Sequence, residues 1–158
     1  MASDSVERER TWLVRSLPHP LPPGVPVVQG YLVTDDGVAV RVRRSCTRQV
    51  IAIQACGAGA RTELGWDLTP AQFDAVWPLT RRARVEKVRH EVRIGSRTAT
   101  VDVFAGPLAG LALVSVALDD DPFAAPDWFG EEVSGEPRFA EAVLARDGLP
   151  AGHRAPTD

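Results

Sequence analysis

Hydrophobic and polar residues alternate along many short segments of the chain, with the period of two that is typical of β-strands. In residues 38–45, VAVRVRRS, Val40 and Val42 fall on one face and Arg41 and Arg43 on the other. Turn residues such as the DDG sequence at 35–37 favour short antiparallel connections. The pattern predicts seven or eight strands, within residues 6–14, 25–34, 38–45, 48–56, 61–68, 84–92, 97–105 and 110–118.

Two segments carry helix signals instead. In residues 69–79, Thr69 can cap a helix, Pro70 suits its first position and Gln72 completes a capping box, while Pro78 ends it. A second helix is predicted at 137–148, where Gly148 marks the C-terminal end. The chain is therefore predicted to be mainly β (α+β), with a few helices flanking the sheet.

Four of the predicted strands carry polar side chains at alternate positions. The sets are Glu7/Glu9, Arg41/Arg43, Lys87/Arg89 and Thr98/Thr100/Asp102. A polar strand face is ordinarily the solvent side of a sheet, which explains any one of these strands. A closed barrel with a polar interior explains all four together, because acidic and basic side chains then face one another inside it. On this interpretation Glu7 and Glu9 point inward, and Arg8 and Arg10 point to solvent.

Length, charge and cysteine content indicate a single intracellular domain. We expect one domain at residues 1–149 and a disordered tail at 150–158. The net charge of −3 argues against a nucleic-acid-binding protein, and no apolar run is long enough to span a membrane. No secretory signal is evident, so a cytoplasmic location is expected. Cys46 and Cys56 lack metal-ligand spacing and are interpreted as free thiols.

The order of several motifs resembles one protein family from residue 6 to residue 149. The motifs are VERERTWLV at 6–14, Gln29-Gly30-Tyr31-Leu32, EKVRHEV at 86–92, VDVFAGPLAGLALVSVAL at 101–118 and the segment from Trp128 to Ser134. Together they resemble the CYTH domain, whose members include class IV adenylate cyclases and thiamine triphosphatases and are called triphosphate tunnel metalloenzymes. The resemblance implies a closed eight-stranded antiparallel β-tunnel that holds a triphosphate with basic residues and divalent cations.

Many of the charged positions of that family are present in this chain. A polyphosphate carries several negative charges, so its binding requires guanidinium or ammonium donors. The resemblance implies substrate-binding roles for Arg41, Arg43, Arg61, Lys87 and Arg89, catalytic or metal-binding roles for Glu7 and Glu9, and later acidic positions at Glu63 and Asp102.

At other positions this chain differs from the residues that the resemblance leads us to expect. Thr11 and Gln54 stand where the resemblance leads us to expect lysines, and Gly65 stands where a glutamate is expected. A Glu-x-Glu motif is replaced by Ser115-Val116-Ala117. Gln54 and Ser115 stay in the predicted substrate-binding set as neutral groups. Hard cations need several oxygen ligands, so we expect no resident cofactor. Mg²⁺ or Mn²⁺ would be bound, through Glu7, Glu9 and Asp102, only if the ancestral activity is retained.

This mixture of kept and changed positions predicts an enzyme with altered chemistry. We expect the tunnel to bind a small organic or phosphorylated anion, with Glu7 or Glu9 as general acid or base in a cyclisation, an elimination or a hydrolysis. A metal-dependent triphosphatase or nucleotide cyclase is one alternative. A non-catalytic relic, in which the carboxylates only pair with the arginines, is the other. No nucleic-acid or membrane partner is expected, and a homodimer is left open.

Overall fold

The fold is that of a computed structural model, which describes residues 8–35, 37–57, 60–118 and 122–157. This part of the chain contains nine β-strands, two short α-helices and three 3-10 turns. The strands are β1 (Arg8–Val14), β2 (Gly24–Asp35), β3 (Val38–Ser45), β4 (Arg48–Gly57), β5 (Ala60–Leu68), β6 (Arg84–Ile94), β7 (Arg97–Ala105), β8 (Ala112–Leu118) and β9 (Phe129–Glu132). The helices are α1 (Pro70–Val76) and α2 (Glu141–Asp147), and the 3-10 turns are Trp77–Thr80, Gly106–Leu108 and Pro137–Phe139.

All nine strands join one antiparallel sheet, in the order β5-β4-β3-β2-β6-β7-β8-β1-β9. The predicted antiparallel tunnel-like fold is confirmed, with two corrections. A ninth strand, β9, pairs with β1, and its four residues are too few to show a clear period of two. Within the described residues β5 and β9 form the two edges of the sheet, so the sheet is not closed.

The strand register divides the sheet into two faces. Thr11 lies opposite Ser115, and Arg89 lies opposite Asp102. These residues border a large cavity, and we call their side of the sheet the inner face. Because directly paired residues point to the same side, the register brings side chains from distant parts of the chain together there.

The opposite, outer face of β1, β7 and β8 carries an apolar core. Trp12, Val101, Val114 and Phe129 are buried together there. Arg10 lies on the same face, as predicted, with its guanidinium 4.8 Å from the centre of the Trp12 ring. Trp12 and Val14 at the end of β1 therefore supply this core, whereas the charged positions of the strand lie towards its start.

The two helices are shorter than the sequence pattern predicts. Helix α1 has the expected capping box of Thr69 and Gln72, but it ends at Val76, and Pro78 lies within the 3-10 turn that follows. Helix α2 begins only at Glu141, because the backbone of Ala140 is extended after the turn Pro137–Phe139. It ends before Gly148, whose φ of 83° suits glycine.

The C-terminal segment lies against the sheet in this structure, although the sequence predicts a disordered tail. The Thr157 backbone N–H donates to the Arg15 carbonyl oxygen at 2.8 Å, and a His153 ring nitrogen lies 3.0 Å from the Gly110 carbonyl oxygen. The predicted domain boundary at residue 149 stays a prediction. No helix in the described ranges is long and apolar enough to cross a membrane.

Candidate anion-binding site

A cavity of about 910 Å³ lies between the inner face of the sheet and α2. Residues of seven strands line this cavity, so the open sheet curves around it as a tunnel-like wall. Predicted site residues that line it are Glu9, Arg41, Arg43, Gln54, Lys87, Arg89, Asp102 and Ser115. A smaller cavity of about 530 Å³ shares Arg41 and Arg43 with it and is also lined by Glu63 and Gly65.

Lys87 is the most deeply buried charge of this site, with 3% of its surface exposed. Its Nζ lies 2.8 Å from Asp102 Oδ2 and 2.6 Å from Glu141 Oε1. The same ammonium lies 5.6 Å from the centre of the Phe104 ring. An isolated buried ammonium would be costly, so these two carboxylates account for its presence in the wall.

Arg89 joins the same network through a two-pronged contact with Asp102. Its Nε lies 2.8 Å from Oδ1, and a terminal nitrogen lies 2.8 Å from Oδ2. Burial raises the pKa of Asp102, but the hydrogen bonds and charges of Arg89 and Lys87 outweigh it, so the pKa is below its ordinary value. The carboxylate is therefore ionised and shared between two cations.

A second network lies across the cavity on β2 to β5. An Arg41 terminal nitrogen lies 2.8 Å from Glu63 Oε1, and the Gln54 amide donates to Glu63 Oε2 at 2.9 Å. On neighbouring β2, the Gln29 amide donates to the Tyr31 hydroxyl at 2.8 Å. Burial raises the pKa of Tyr31, and the nearby charge of Glu141 raises it further, so the phenol is neutral.

Arg43 differs from the other cations of the inner face. It is half-buried, and among the described residues no hydrogen bond or ion pair holds its guanidinium. Burial lowers the pKa of Arg43, and the neighbouring charge of Arg89 lowers it further. An arginine keeps its charge in proteins, so Arg43 presents to the cavity a cation that no described carboxylate binds directly, although the nearby charges of Glu141 and Asp102 act on it as well.

Opposite these basic groups, β1 and β8 present small hydroxyl groups and one carboxylate. The Thr11 and Ser115 hydroxyl oxygens lie 3.0 Å apart, so two positions that differ from the family pattern are direct neighbours. Thr100, opposite Ser115 on β7, also lines the cavity. Glu9 is exposed to the cavity and, within the described ranges, has no hydrogen-bonded partner.

Of the carboxylates described around the cavity, Glu9 has no ion pair, whereas the three deeper in the site are held by cations. Asp102 and Glu141 are paired with Lys87, and Glu63 is paired with Arg41. No group of three His, Cys, Asp or Glu side chains suited to a metal ion occurs in the described part of the chain. Three carboxylates already neutralised by cations do not fit a Mg²⁺ or Mn²⁺ ion, which needs several free oxygen ligands. Glu7 lies outside the described residues, so the metal prediction is not tested.

No family model matches the chain. An inorganic triphosphatase of Nitrosomonas europaea is 37% identical over 145 residues, which cover 88% of this chain and 96% of that protein. An inorganic triphosphatase of Acetivibrio thermocellus is 29% identical over 128 residues, which cover 78% of this chain and 82% of that protein. A crystal structure of an inorganic triphosphatase superposes with a TM-score of 0.75 at 35% identity, over 91% of this chain and 100% of that one.

This chain belongs to the CYTH family of triphosphate tunnel proteins. The family resemblance stated from the motifs is thereby confirmed. The roles of individual residues in this CYTH chain stay predictions. The side chains of Arg61 and Cys56 lie outside the described ones, as does the whole of Glu7.

The structure also adds residues to the site that sequence patterns do not mark. Glu141 reaches Lys87 from α2, and its position in an amphipathic helix gives no sign of an inward carboxylate. Gln29 and Tyr31 belong to a motif that carries the CYTH resemblance, but only the register shows that they adjoin Arg43 and Arg41. His90, next to Arg89, faces away from the cavity, and its Nδ1 lies 2.6 Å from the Pro22 carbonyl oxygen.

Proposed function

We propose that the inner face binds a polyphosphate anion and that this chain hydrolyses inorganic triphosphate. The single observation that carries the proposal is the Arg43 guanidinium, which has no hydrogen-bonded carboxylate among the described residues and lies on the wall of a large cavity that Arg41 and Arg89 also line. The names of the two relatives support the choice of inorganic triphosphate as the first substrate to test.

The arginines would hold the phosphoryl oxygens of the substrate. A guanidinium has five N–H donors, so Arg41 and Arg89 can bind an anion while they keep their carboxylate partners. Arg43 lacks such a partner among the described residues and would gain the most from the ligand. The Thr11, Ser115 and Thr100 hydroxyls lie on the opposite part of the wall and can donate further hydrogen bonds.

Glu9 is the proposed general base. It is the carboxylate of the inner face that has no hydrogen-bonded cation in the described part of the chain. In the proposed step, a water oxygen attacks a terminal phosphorus atom and Glu9 accepts a proton from that water. The bond between this phosphorus and the bridging oxygen breaks, and its electrons stay with the leaving diphosphate, whose charge the arginines stabilise. The products are orthophosphate and diphosphate.

A second candidate is the binding and conversion of a small organic anion without a metal ion. It is favoured by the pairing of Lys87, Arg89 and Arg41 with carboxylates, which leaves Arg43 as a cation of the described inner face without a bound carboxylate. A site with so little excess positive charge suits an anion with fewer charges than triphosphate. This candidate also accounts for the changed positions at Thr11, Gln54 and Ser115.

The experiment is a phosphate-release assay on the purified chain with inorganic triphosphate, carried out with Mg²⁺, with Mn²⁺ and with excess chelator. Triphosphate hydrolysis that Arg43→Gln weakens supports the proposed function. Phosphate release that persists in excess chelator would also indicate that the reaction needs no divalent ion. Tight triphosphate binding without any release would contradict the proposed hydrolysis, while the absence of both binding and release would contradict the proposed function as a whole and favour the second candidate.

A further inference from the structure

A further cavity, of about 480 Å³, lies beside the C-terminal half of β2. Strand β6 pairs with β2 only as far as Gly30, whereas β3 pairs with it as far as Asp35, so one side of β2 has no strand partner at this end in the described structure. Cavities of about 300–1,000 Å³ are typical of small-molecule sites. We call this cavity the side pocket, and its wall includes Leu32, Val33, Leu79, Arg81, Arg82 and Arg146.

The segment that forms one wall of the side pocket is fixed to the sheet by buried contacts. Thr80 is fully buried, and its hydroxyl donates to the Trp77 carbonyl oxygen at 2.7 Å. Gly30 of β2 allows this close approach, because a Cβ at that position would overlap the Thr80 side chain. The backbone that carries Arg81 and Arg82 is therefore held in place before any ligand binds, which lowers the entropic cost of binding.

The side pocket has an excess of positive charge. Three arginines line it, and no carboxylate does so among the described residues. Arg146 is paired with Asp147 of the same helix, with contacts of 2.8 and 2.9 Å. Arg81 and Arg82 are exposed and have no hydrogen bond or ion pair in the described ranges. Because the chain as a whole has a net charge of −3, this local cluster of cations does not follow from the overall charge, and it favours the binding of an anion.

Apolar side chains lie beside these arginines in the wall of the side pocket. Leu79 is 65% exposed and Val33 is 44% exposed, and Leu32 is half-buried. An inorganic anion would leave these side chains in water, whereas an anion with an organic group could bury them against that group. Burial of apolar surface stabilises a complex in proportion to the area removed from water, so the composition of the wall favours an organic anion.

We propose that the side pocket binds a small phosphate monoester that carries an apolar or aromatic group. The guanidinium groups of Arg81 and Arg82 would bind the phosphoryl oxygens, because a guanidinium matches the geometry of phosphate with two parallel N–H donors. Leu79 and Val33 would pack against the organic group. None of the groups proposed above for triphosphate hydrolysis lies in this wall, so the side pocket is a binding site in addition to the inner face.

Calorimetry with phenyl phosphate on the full chain provides the first test. We expect binding to the wild type, and the double variant Arg81→Gln/Arg82→Gln should weaken the affinity at least tenfold, because two charge-assisted contacts are lost. Arg15→Gln/Arg154→Gln is the matched control, since it removes the same charge from two exposed arginines outside the three described cavities. Circular dichroism checks that each variant is folded. No binding to the wild type at millimolar concentration, or equal affinities of the two double variants, would overturn the proposal.

A second measurement separates the side pocket from the neighbouring inner face. Tyr31 and Thr34 line both cavities, so the position of the bound anion has to be tested directly. Arg43→Gln alters the inner face alone and should bind phenyl phosphate as the wild type does. If Arg43→Gln weakened phenyl phosphate binding as much as Arg81→Gln/Arg82→Gln, the ligand would not be specific to the side pocket and the proposal would be wrong. This comparison does not require triphosphate hydrolysis, so it applies equally to an inactive chain.

The organic part of the ligand is tested with orthophosphate and Leu79→Asn. Phenyl phosphate should bind the wild type at least fivefold more tightly than orthophosphate, because its ring buries apolar surface of the pocket. Leu79→Asn keeps the size of the side chain and should weaken phenyl phosphate binding several-fold while it leaves orthophosphate binding unchanged. Equal wild-type affinities for the two anions, or an equal effect of Leu79→Asn on both, would contradict a site for an organic phosphate.

Discussion

Two regions of the inner face differ in whether their cations are paired with carboxylates. Lys87 is almost completely buried, and two carboxylates lie within 2.8 Å of its ammonium group. Arg43 lies on the same face, yet in the described part of the chain no carboxylate is bonded to its guanidinium. The first cation is surrounded by partners that the fold itself provides, while the second lies beside the like charges of Arg89 and Arg41.

This difference separates charges that maintain the fold from charges that are available to a ligand. A buried cation that is paired with carboxylates stabilises the folded chain only as part of that network. The loss of one member leaves its partners as uncompensated buried charges, which destabilises the fold. An unpaired cation among like charges costs free energy in the empty site, and that cost is recovered when an anion binds. The two regions should therefore respond differently to the same type of substitution.

The largest expected effect is on stability, from Lys87→Met. The variant keeps most of the side-chain volume but leaves Asp102 and Glu141 without their shared cation. Loss of one partner from a buried ion pair costs about 3–5 kcal/mol, so the free energy of unfolding in urea should fall by about that amount. Arg43→Met is the matched control and should leave the free energy of unfolding unchanged or higher. Equal losses for both variants would remove the distinction between the two regions.

The next expected effect is on turnover, from Glu9→Gln. The amide keeps the shape of the side chain but cannot accept a proton from water, so kcat for triphosphate hydrolysis should fall by about 10²–10⁴-fold. Triphosphate affinity measured by calorimetry should change little, because Glu9 is not among the proposed phosphate-binding groups. Full activity in this variant would exclude Glu9 as the base and leave Glu7 as the remaining predicted candidate.

A smaller effect is expected on ligand binding, from Arg43→Gln. Hydrogen bonds to charged groups contribute about 1.5–3 kcal/mol, so triphosphate affinity should weaken by about 10- to 150-fold. Thermal unfolding of the variant without ligand should occur at the same or a higher temperature, because repulsion with Arg89 and Arg41 is removed. A loss of stability without any loss of affinity would instead indicate a structural role for Arg43.

Much of the fold and of the site could be predicted from local patterns. The period of two in β3 and β6 places Arg41, Arg43, Lys87 and Arg89 on one side of their strands, and they line one cavity in the structure. The capping box of Thr69 and Gln72 likewise marks the start of α1. These features depend on residues that are close together in the chain, so a short stretch of sequence is enough to predict them.

Other features depend on contacts between distant residues and could not be predicted. No periodicity indicates that β9 adds to the edge of β1 or that β5 stays an edge strand. Which cations are paired also depends on distant contacts, because Glu141 is 54 positions from the Lys87 that it neutralises. Whether an arginine is paired or available therefore follows from tertiary packing, although its inward orientation follows from the strand pattern.

The smallest expected effect comes from a third charged pair, outside the cavity, and it appears in the pH dependence of stability. Arg10 binds Glu132 with two contacts of 2.7 Å, and this hydrogen bonding, together with that of Ser134, lowers the pKa of Glu132 from 4.5 to about 2. A lowered carboxyl pKa contributes stability above about pH 4.5 that is lost as the pH falls towards 2. Both side chains are more than a third exposed, so solvent screening keeps the effect small.

Thermal unfolding of Glu132→Gln between pH 7 and pH 2 measures this contribution. The melting temperature of the variant should be lower than that of the wild type at pH 7, and the two curves should converge as the pH falls below 4. Glu131→Gln removes an equal charge from the same strand and should show no such convergence. If the gap between wild type and Glu132→Gln stayed constant with pH, the Arg10–Glu132 pair would contribute through shape alone.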